Sequence, residues 1–263
     1  VLLGLVLMPG KATAMAGGGR LGGVIWPIQP STVSHYAAVL AGTTIILWLA
    51  GLVAARAAAV VSVASVAVLL LTHTRTGLIG LLIGVLVGGL SLFLSRQRVR
   101  KALAVVTIVG ALVAVSFAPF LGAWFTRGES SHDLSTLTGR TEVWSELIAQ
   151  PRSEVNTVFG YGMSNDSFKG LPIDSSWYAT YLDQGLFGDV VDGSVLLVLL
   201  LIALLSTRGP RRAVALFLVV FCFISSFVET GLGEASPYLL DLAVAMAVLA
   251  VPATATVGEL PAA

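Results

Sequence analysis

The residues best suited to chemistry in this sequence are a few charged side chains that lie next to long apolar runs. Arg75 follows one such run, Arg140 opens a polar segment, and Asp174 precedes a segment rich in aromatic residues. An arginine binds phosphate or carboxylate oxygens through a planar fork of N–H donors and stays charged at any accessible pH. An aspartate within hydrogen-bond reach can accept a proton as a general base. These residue types are therefore suited to anion binding and proton transfer.

Each of the three residues also has a structural interpretation. Arg75 can instead act as an interfacial anchor, with its guanidinium extending past a helix end to the membrane surface. Arg140 is also suited to a solvated helix face, where it would pair with Glu142, with Glu146 or with an acidic residue elsewhere in the same polar loop. Asp174 is suited to the N-cap of the following helix, a position that Ser175 can also fill.

Two histidines are further candidates for a general base, because histidine titrates near neutral pH. His73 lies two residues from Arg75 in a predicted helix-end turn, and His132 lies in a serine-rich segment. Both settings also favour a structural role. Glu229, before a glycine-rich turn, either faces the same cavity as the other acids or marks the membrane interface.

Composition indicates which elements must position these residues. Hydrophobic residues make up 56% of the chain and charged residues 11%, against about 45–50% and about 25% in soluble domains. A net charge of +1 argues against a nucleic-acid partner. The lone cysteine, Cys222, excludes a disulfide or a cysteine metal cluster within the chain.

The chain begins at Val1 with half of an apolar span, so we expect it to be a fragment that lacks an N-terminal part.

Apolar runs long enough to cross a hydrocarbon core of about 30 Å predict an all-α, polytopic transmembrane helix bundle. The predicted spans are 33–55, 57–72, 77–95, 102–121, 186–205, 213–228 and 237–252. Within them, the spacing of Gly80, Gly84 and Gly88 predicts close helix packing. Asp189, Asp192 and Asp241 are predicted in the first turns of their spans, where the helix dipole favours carboxylates.

Charge placement predicts the orientation of these spans. Alternate connections are basic and contain no acidic residue, as in the one that contains Arg96, Arg98, Arg100 and Lys101. Such connections are cytoplasmic by the positive-inside rule. We therefore expect a multi-pass protein of the inner (plasma) membrane whose active face is extracytoplasmic. The predicted domains are N-terminal membrane helices in 1–121, an extracytoplasmic loop in 122–185, and C-terminal membrane helices in 186–263.

The predicted loop is too long for a simple connection, and its pattern indicates short amphipathic helices. Residues 139–150 place Val143, Trp144, Leu147 and Ile148 on one helical face. Gly160 and Gly162 permit a tight turn around Tyr161. A second short helix carries Trp177, Tyr178 and Tyr181 near the membrane interface, where amphipathic rings are favoured.

Four stretches, in this order, resemble the O-antigen ligase and O-antigen polymerase superfamily, membrane proteins that transfer glycans from polyprenyl-diphosphate carriers. They are GRLGGVIWP, TRTGLIGL, TGRTEVW and FGYGMSNDSFKGLPIDSSWYATYLDQGLFG, and they span residues 20–188. The ligases have His-Asn where this chain has Asp174, Ser175 and Ser176, so no histidine is carried over to that position. This departure weakens the ligase interpretation more than the polymerase one.

The resemblance implies a role for each candidate residue. Arg75 and Arg140 occupy positions that the family uses for diphosphate binding, and Arg20 and Lys169 add positive potential or have merely structural roles. Asp174 and Arg140 are the implied catalytic residues. The reaction requires no metal or other cofactor in principle. The implied partners are a polyprenyl-diphosphate-linked glycan, an acceptor glycan or lipid, and the membrane.

Two other functions remain open at the level of sequence, a membrane transporter and a non-catalytic subunit of a cell-envelope polysaccharide assembly. A transporter is expected to have broken spans with charges near the midplane, whereas the charges here gather in the outer loop. No phosphate loop of the GxxxxGK[ST] type is present. That absence favours a lipid-linked glycan donor over a nucleotide substrate.

Overall fold

The fold is given by a computed structural model, which describes residues 1–14, 19–93, 139–162 and 167–251 and scattered positions between 97 and 126. These residues are almost entirely helical, with one short antiparallel hairpin. The elements are α1 (Leu2–Leu7), α2 (Pro9–Ala14), α3 (Pro30–Leu49), α4 (Ala55–Leu71), α5 (Arg75–Phe93), α6 (Arg140–Ala149), α7 (Glu154–Phe159), β1 (Ser167–Phe168), β2 (Leu171–Pro172), α8 (Ser176–Leu205), α9 (Pro210–Ser226) and α10 (Pro237–Ala250).

The predicted helical fold class is confirmed in the described residues. Six of the seven predicted spans coincide with α3, α4, α5, α8, α9 and α10, while 102–121 lies largely outside the described residues. Among the described helices, α3, α5 and α8 are long and apolar enough to cross a membrane. Helices α4 and α10 are apolar but shorter.

Helix α9 is the centre of the bundle, in contact with α3, α5, α8 and α10. Its phenylalanines fill the space that the glycines of α5 leave open. A Cβ at Gly84 would lie 2.8 Å from the Phe217 ring, and one at Gly80 would lie 2.9 Å from the Phe221 ring. At Gly88 a Cβ would lie 2.7 Å from a backbone oxygen of α9. The predicted packing role of these glycines is therefore confirmed.

A second, smaller core lies beside one end of the bundle, where α6 packs on the first part of α8. Its buried residues are Leu147, Phe168, Ile173, Ala179 and Leu182. Trp144 donates a 2.6 Å hydrogen bond from Nε1 to the carbonyl of Ile173 and stacks on Tyr178. Ile148, which was predicted on the same helical face, is 56% exposed and takes no part in this core. Val143 and Leu147 set the buried face, and Ile148 is turned about 100° away from Leu147.

Helix α8 joins the predicted second loop helix to the predicted span 186–205 through a kink at Gly185, where φ is 66°. The kink leaves carbonyls of the preceding turn open to new donors. The amides of Tyr161 and Gly162 donate to the carbonyls of Leu182 and Asp183, at 3.0 and 2.7 Å. Gly160 and Gly162, where a tight turn was predicted, have positive φ of 69° and 73°, which glycine adopts readily.

Replacement of Gly185 by alanine is expected to destabilise this junction. A Cβ at Gly185 would lie 2.5 Å from the backbone of Val158, and its φ of 66° with ψ of −163° is a conformation open almost only to glycine, where another residue costs about 1–3 kcal/mol. Gly193→Ala on the same helix is the matched control, because its Cβ would meet Trp177 only at 3.8 Å. In thermal unfolding in detergent micelles, the midpoint should fall for Gly185→Ala alone. Equal midpoints for the two variants would contradict this role of the kink.

The predicted dipole position is wrong for Asp192 and Asp241, which lie beyond the first turn of the span after the Gly185 kink and of α10, whereas Asp189 follows that kink by four residues and stays a prediction. Helix α8 begins well before Asp189 and Asp192, and Asp241 is the fifth residue of α10. Their side chains have other surroundings. Thr180 donates a 3.1 Å hydrogen bond to Asp192, and Asp241 contacts His35.

Candidate functional site

The predicted site residues gather at one end of the bundle, where α4 and α9 end and α3, α5, α8 and α10 begin. We call it the outer end, after the predicted orientation. Arg20 is fixed there by the turn between α4 and α5. Its Nε donates to the carbonyl of Thr72 at 3.1 Å, and its Nη2 donates to Oγ1 of Thr74 at 3.3 Å. The amide of Leu21 donates to the carbonyl of Leu71 at 2.9 Å. The segment before α3 is thus held against this turn.

Arg140 and Asp174 form an ion pair between the first residue of α6 and the residue two positions before α8. Nε and Nη2 of Arg140 both lie 3.0 Å from Oδ2 of Asp174. The two side chains are 28% and 35% exposed, so solvent and ligands can reach the pair. A guanidinium has five N–H donors. Arg140 can therefore keep its bonds to Asp174 while other N–H groups bind an anion.

Arg20 connects this pair electrostatically to a second acid. Burial lowers the pKa of the Arg20 guanidinium, the Glu229 carboxylate raises it, Arg140 lowers it, and Asp174 raises it. Glu229, Arg140 and Asp174 therefore each lie within electrostatic range of Arg20. Glu229 thus lies near Arg20, but it lines a small cavity beside α3 and not the groove that contains Glu142, Glu146 and Asp174.

A groove of about 260 Å³ lies beside the Arg140–Asp174 pair. Its walls come from the start of α6 and from the hairpin, whose turn contains Lys169 with φ of 52° and Gly170 with φ of 80°. Lys169 Nζ lies 2.9 Å from Oε2 of Glu146 in an exposed ion pair. The groove residues are Gly139, Arg140, Glu142, Val143, Glu146, Phe168, Lys169, Leu171, Pro172 and Asp174. Three of the five predicted site residues therefore line one open groove.

Arg75 is the first residue of α5 and follows Thr74, the residue that accepts a hydrogen bond from Arg20. Its Nη2 donates to the carbonyl of Thr126 at 3.4 Å. In the same turn, His73 has φ of 51° and stacks on Trp124 with ring centroids 6.0 Å apart. His132, the other histidine proposed as a base, lies outside the described residues. The fixed turn thus brings Arg75 to the outer end near Arg20.

The start of α8 is not capped as predicted. Ser175 occupies the N-cap position but makes no side-chain capping hydrogen bond, and Asp174 binds Arg140 instead. Ser176 ties the helix start to the turn after α9. Its Oγ donates to the carbonyl of Glu229 at 2.8 Å and accepts from the amide of Leu232 at 3.1 Å. Asp174 is therefore available for a role in the site.

Two features near this end went unrecognised in the sequence. Arg152 lies over the rings of Tyr161 and Tyr181, with its Cζ 5.4 and 4.4 Å from their centroids, and donates to the carbonyl of Tyr181. It thereby holds the glycine turn against α8. His35 of α3 and Asp241 of α10 form a buried pair. His35 and Asp241 are 206 residues apart, so no local sequence pattern indicates that they are in contact.

One comparison with known proteins identifies a family. A protein-family model described as O-antigen ligase matches residues 59–188, which include Arg75, Arg140, Lys169 and Asp174. No curated protein and no solved structure matches the chain. Within the part of the chain that the structure describes, no group of three or more His, Cys, Asp or Glu side chains is placed to hold a metal ion.

Proposed function

The chain belongs to the O-antigen ligase superfamily, and we propose that it moves a saccharide from a polyprenyl-diphosphate carrier to a glycan or lipid acceptor. The family and the apolar helices indicate a membrane protein. In our proposal it is a multi-pass protein of the inner (plasma) membrane. The loop 122–185 lies between the membrane domains 1–121 and 186–263, and the outer end faces away from the cytoplasm.

The observation that carries this proposal is the convergence of charged residues from distant parts of the chain. Arg20 lies within electrostatic range of Arg140, Asp174 and Glu229, and its anchor Thr74 is next to Arg75. A diphosphate carries several negative charges on oxygens that guanidinium forks bind well. We assign donor binding to Arg75 and Arg140, with additional positive potential from Arg20 and Lys169.

The proposed reaction forms one bond and breaks another at the anomeric carbon of the donor sugar. The acceptor hydroxyl oxygen attacks this carbon from the face opposite the diphosphate. The bond from the carbon to the diphosphate oxygen breaks, and the polyprenyl diphosphate leaves with both bonding electrons. Guanidinium groups, rather than a metal ion, stabilise the charge that develops on it.

Asp174 is the proposed general base, and the hydroxyl proton moves to its carboxylate. Both guanidinium bonds of the ion pair are made to Oδ2, so Oδ1 is the oxygen that we assign to the acceptor hydroxyl. Arg140 would thereby act twice, binding the diphosphate and orienting the base. The open groove beside the pair is the proposed route of the acceptor.

A turnover assay with Arg75→Ala tests the proposal. The protein is reconstituted in lipid nanodiscs with polyprenyl-diphosphate-linked glycans isolated from the source cells, and released polyprenyl diphosphate is measured. We expect release by the unaltered protein and at least about 100-fold slower release by Arg75→Ala, as for loss of one group that stabilises developing charge. Arg208→Ala removes an exposed guanidinium before α9 and should be as active as the unaltered protein. Normal release by Arg75→Ala would contradict the proposed site.

A further inference from the structure

A buried histidine–aspartate pair lies directly below the outer site. His35 Nε2 and Asp241 Oδ2 are 2.7 Å apart, and the two side chains are 5% and 12% exposed. Ionisable groups within apolar helix bundles are costly to bury and commonly mark functional positions. The proposed transfer reaction has so far given this pair no role.

The orientation of the His35 ring is fixed on all sides. It makes edge contacts with the rings of Tyr238, Phe221 and Tyr36, at centroid distances of 4.5, 5.1 and 5.9 Å. In the neutral tautomer that donates from Nε2 to Asp241, Nδ1 is a hydrogen-bond acceptor. This nitrogen is buried and has no hydrogen-bond partner among the described residues. Nδ1 is therefore the ring atom that remains for a further hydrogen bond.

A small polar cavity lies against this part of α3. Its volume is about 10 Å³, which is close to the minimum for a single water molecule. The hydroxyl of Ser34, next to His35, is also buried without a hydrogen-bond partner among the described residues. The polar residues around the cavity are Ser31, Ser34, His35, Thr74, Thr76, Ser225, Glu229 and Tyr238. A cavity of this size with polar groups on several sides can hold one water molecule.

The cavity adjoins the outer site through two shared residues. Thr74 lines the cavity and accepts a hydrogen bond from Arg20. Glu229 also lines the cavity, and its carboxylate interacts with the charge of Arg20. A path of polar groups therefore runs from the outer site, through Glu229 and the cavity, to His35 and Asp241.

We propose that Glu229, one cavity water and the His35–Asp241 pair form a proton relay for the outer site, an inference that rests on the proposed transfer reaction. The proton that Asp174 takes from the acceptor hydroxyl passes to Glu229 and then through the water to Nδ1 of His35. Only O–H and N–H bonds change in these steps. Asp174 returns to the carboxylate form, and after the product departs His35 gives the proton back through the water and Glu229 to solvent at the outer end, so every group is restored for the next turnover.

Kinetics of His35→Gln and Ser34→Ala separate a relay from a merely structural pair. Glutamine keeps an N–H donor for Asp241 but takes up no proton, so we expect a kcat about 100-fold lower with KM unchanged. Ser34→Ala removes a partner of the water and should lower kcat less. The matched control is Ser62→Ala on α4, whose hydroxyl is also buried without a partner among the described residues but does not line the cavity. Thermal unfolding midpoints verify that each variant folds.

If His35→Gln folds and keeps a kcat within two-fold of an active unaltered protein, the relay is wrong and the transfer reaction stands. A measurement independent of turnover is nitrogen-15 NMR of protein labelled in its three histidines, with His35→Gln assigning the His35 signal. Glu229→Gln should shift the ring-nitrogen resonances of His35, whereas Glu146→Gln in the outer groove should not. Unshifted resonances in Glu229→Gln would overturn the relay even if the unaltered protein showed no transfer.

Discussion

Arg140→Ala should abolish glycan transfer, with a rate lower by about 100- to 1000-fold, as for removal of one donor to a developing negative charge. The variant loses N–H donors for the diphosphate and also the two bonds that hold Asp174. Its effect on donor binding and on kcat should therefore exceed that of Arg75→Ala. Release of polyprenyl diphosphate in nanodiscs measures the rate.

Two controls separate this role from a simple loss of charge or of folding. Arg140→Lys keeps a positive charge but lacks the planar fork, so it should recover only a small part of the activity. Since the Arg140 side chain is 28% exposed, Arg140→Ala should still be inserted in the membrane at the level of Arg208→Ala. A fully active Arg140→Ala would exclude the ion pair from the reaction.

Asp174→Asn should have the second large effect, a kcat lower by about 100- to 10,000-fold, as for loss of a general base. Asparagine retains the size of the side chain and can accept a hydrogen bond from Arg140, so the donor should bind with little change in KM. The measurement is the dependence of the transfer rate on donor concentration. A raised KM with unchanged kcat would instead show that Asp174 only orients Arg140.

The sequence predicted the helices of the bundle well because their signal is local. A run of apolar residues without charges has to form a helix in a membrane, whatever its neighbours are. The glycines of α5 similarly indicated close packing from their spacing alone. The motif order led from Arg75, Arg140 and Asp174 to the family whose model matches residues 59–188.

The same reasoning failed where a side chain had two possible partners. Asp174 was equally suited to an N-cap, and Arg140 to a pair with Glu142, Glu146 or any other acidic residue of the loop, and only the structure shows that the two residues bind each other across 34 positions. Asp241 was assigned to a helix dipole, but it contacts His35 across 206 positions. Local patterns give the preferences of each residue, and they do not tell which distant residue will lie within reach.

The amino-acid sequence by itself determined that this protein is helical and suited to a membrane, and which charged residues are available at one end. Hydrophobicity and helical period are properties of neighbouring residues, so they can be derived without the fold. The tertiary structure decided the partners: the fixing of Arg20 by Thr72 and Thr74, the Arg140–Asp174 pair, and the polar cavity beside His35. These contacts arise from the packing of helices far apart in the chain, where small residues such as Gly80 and Gly84 set the distance between the helices.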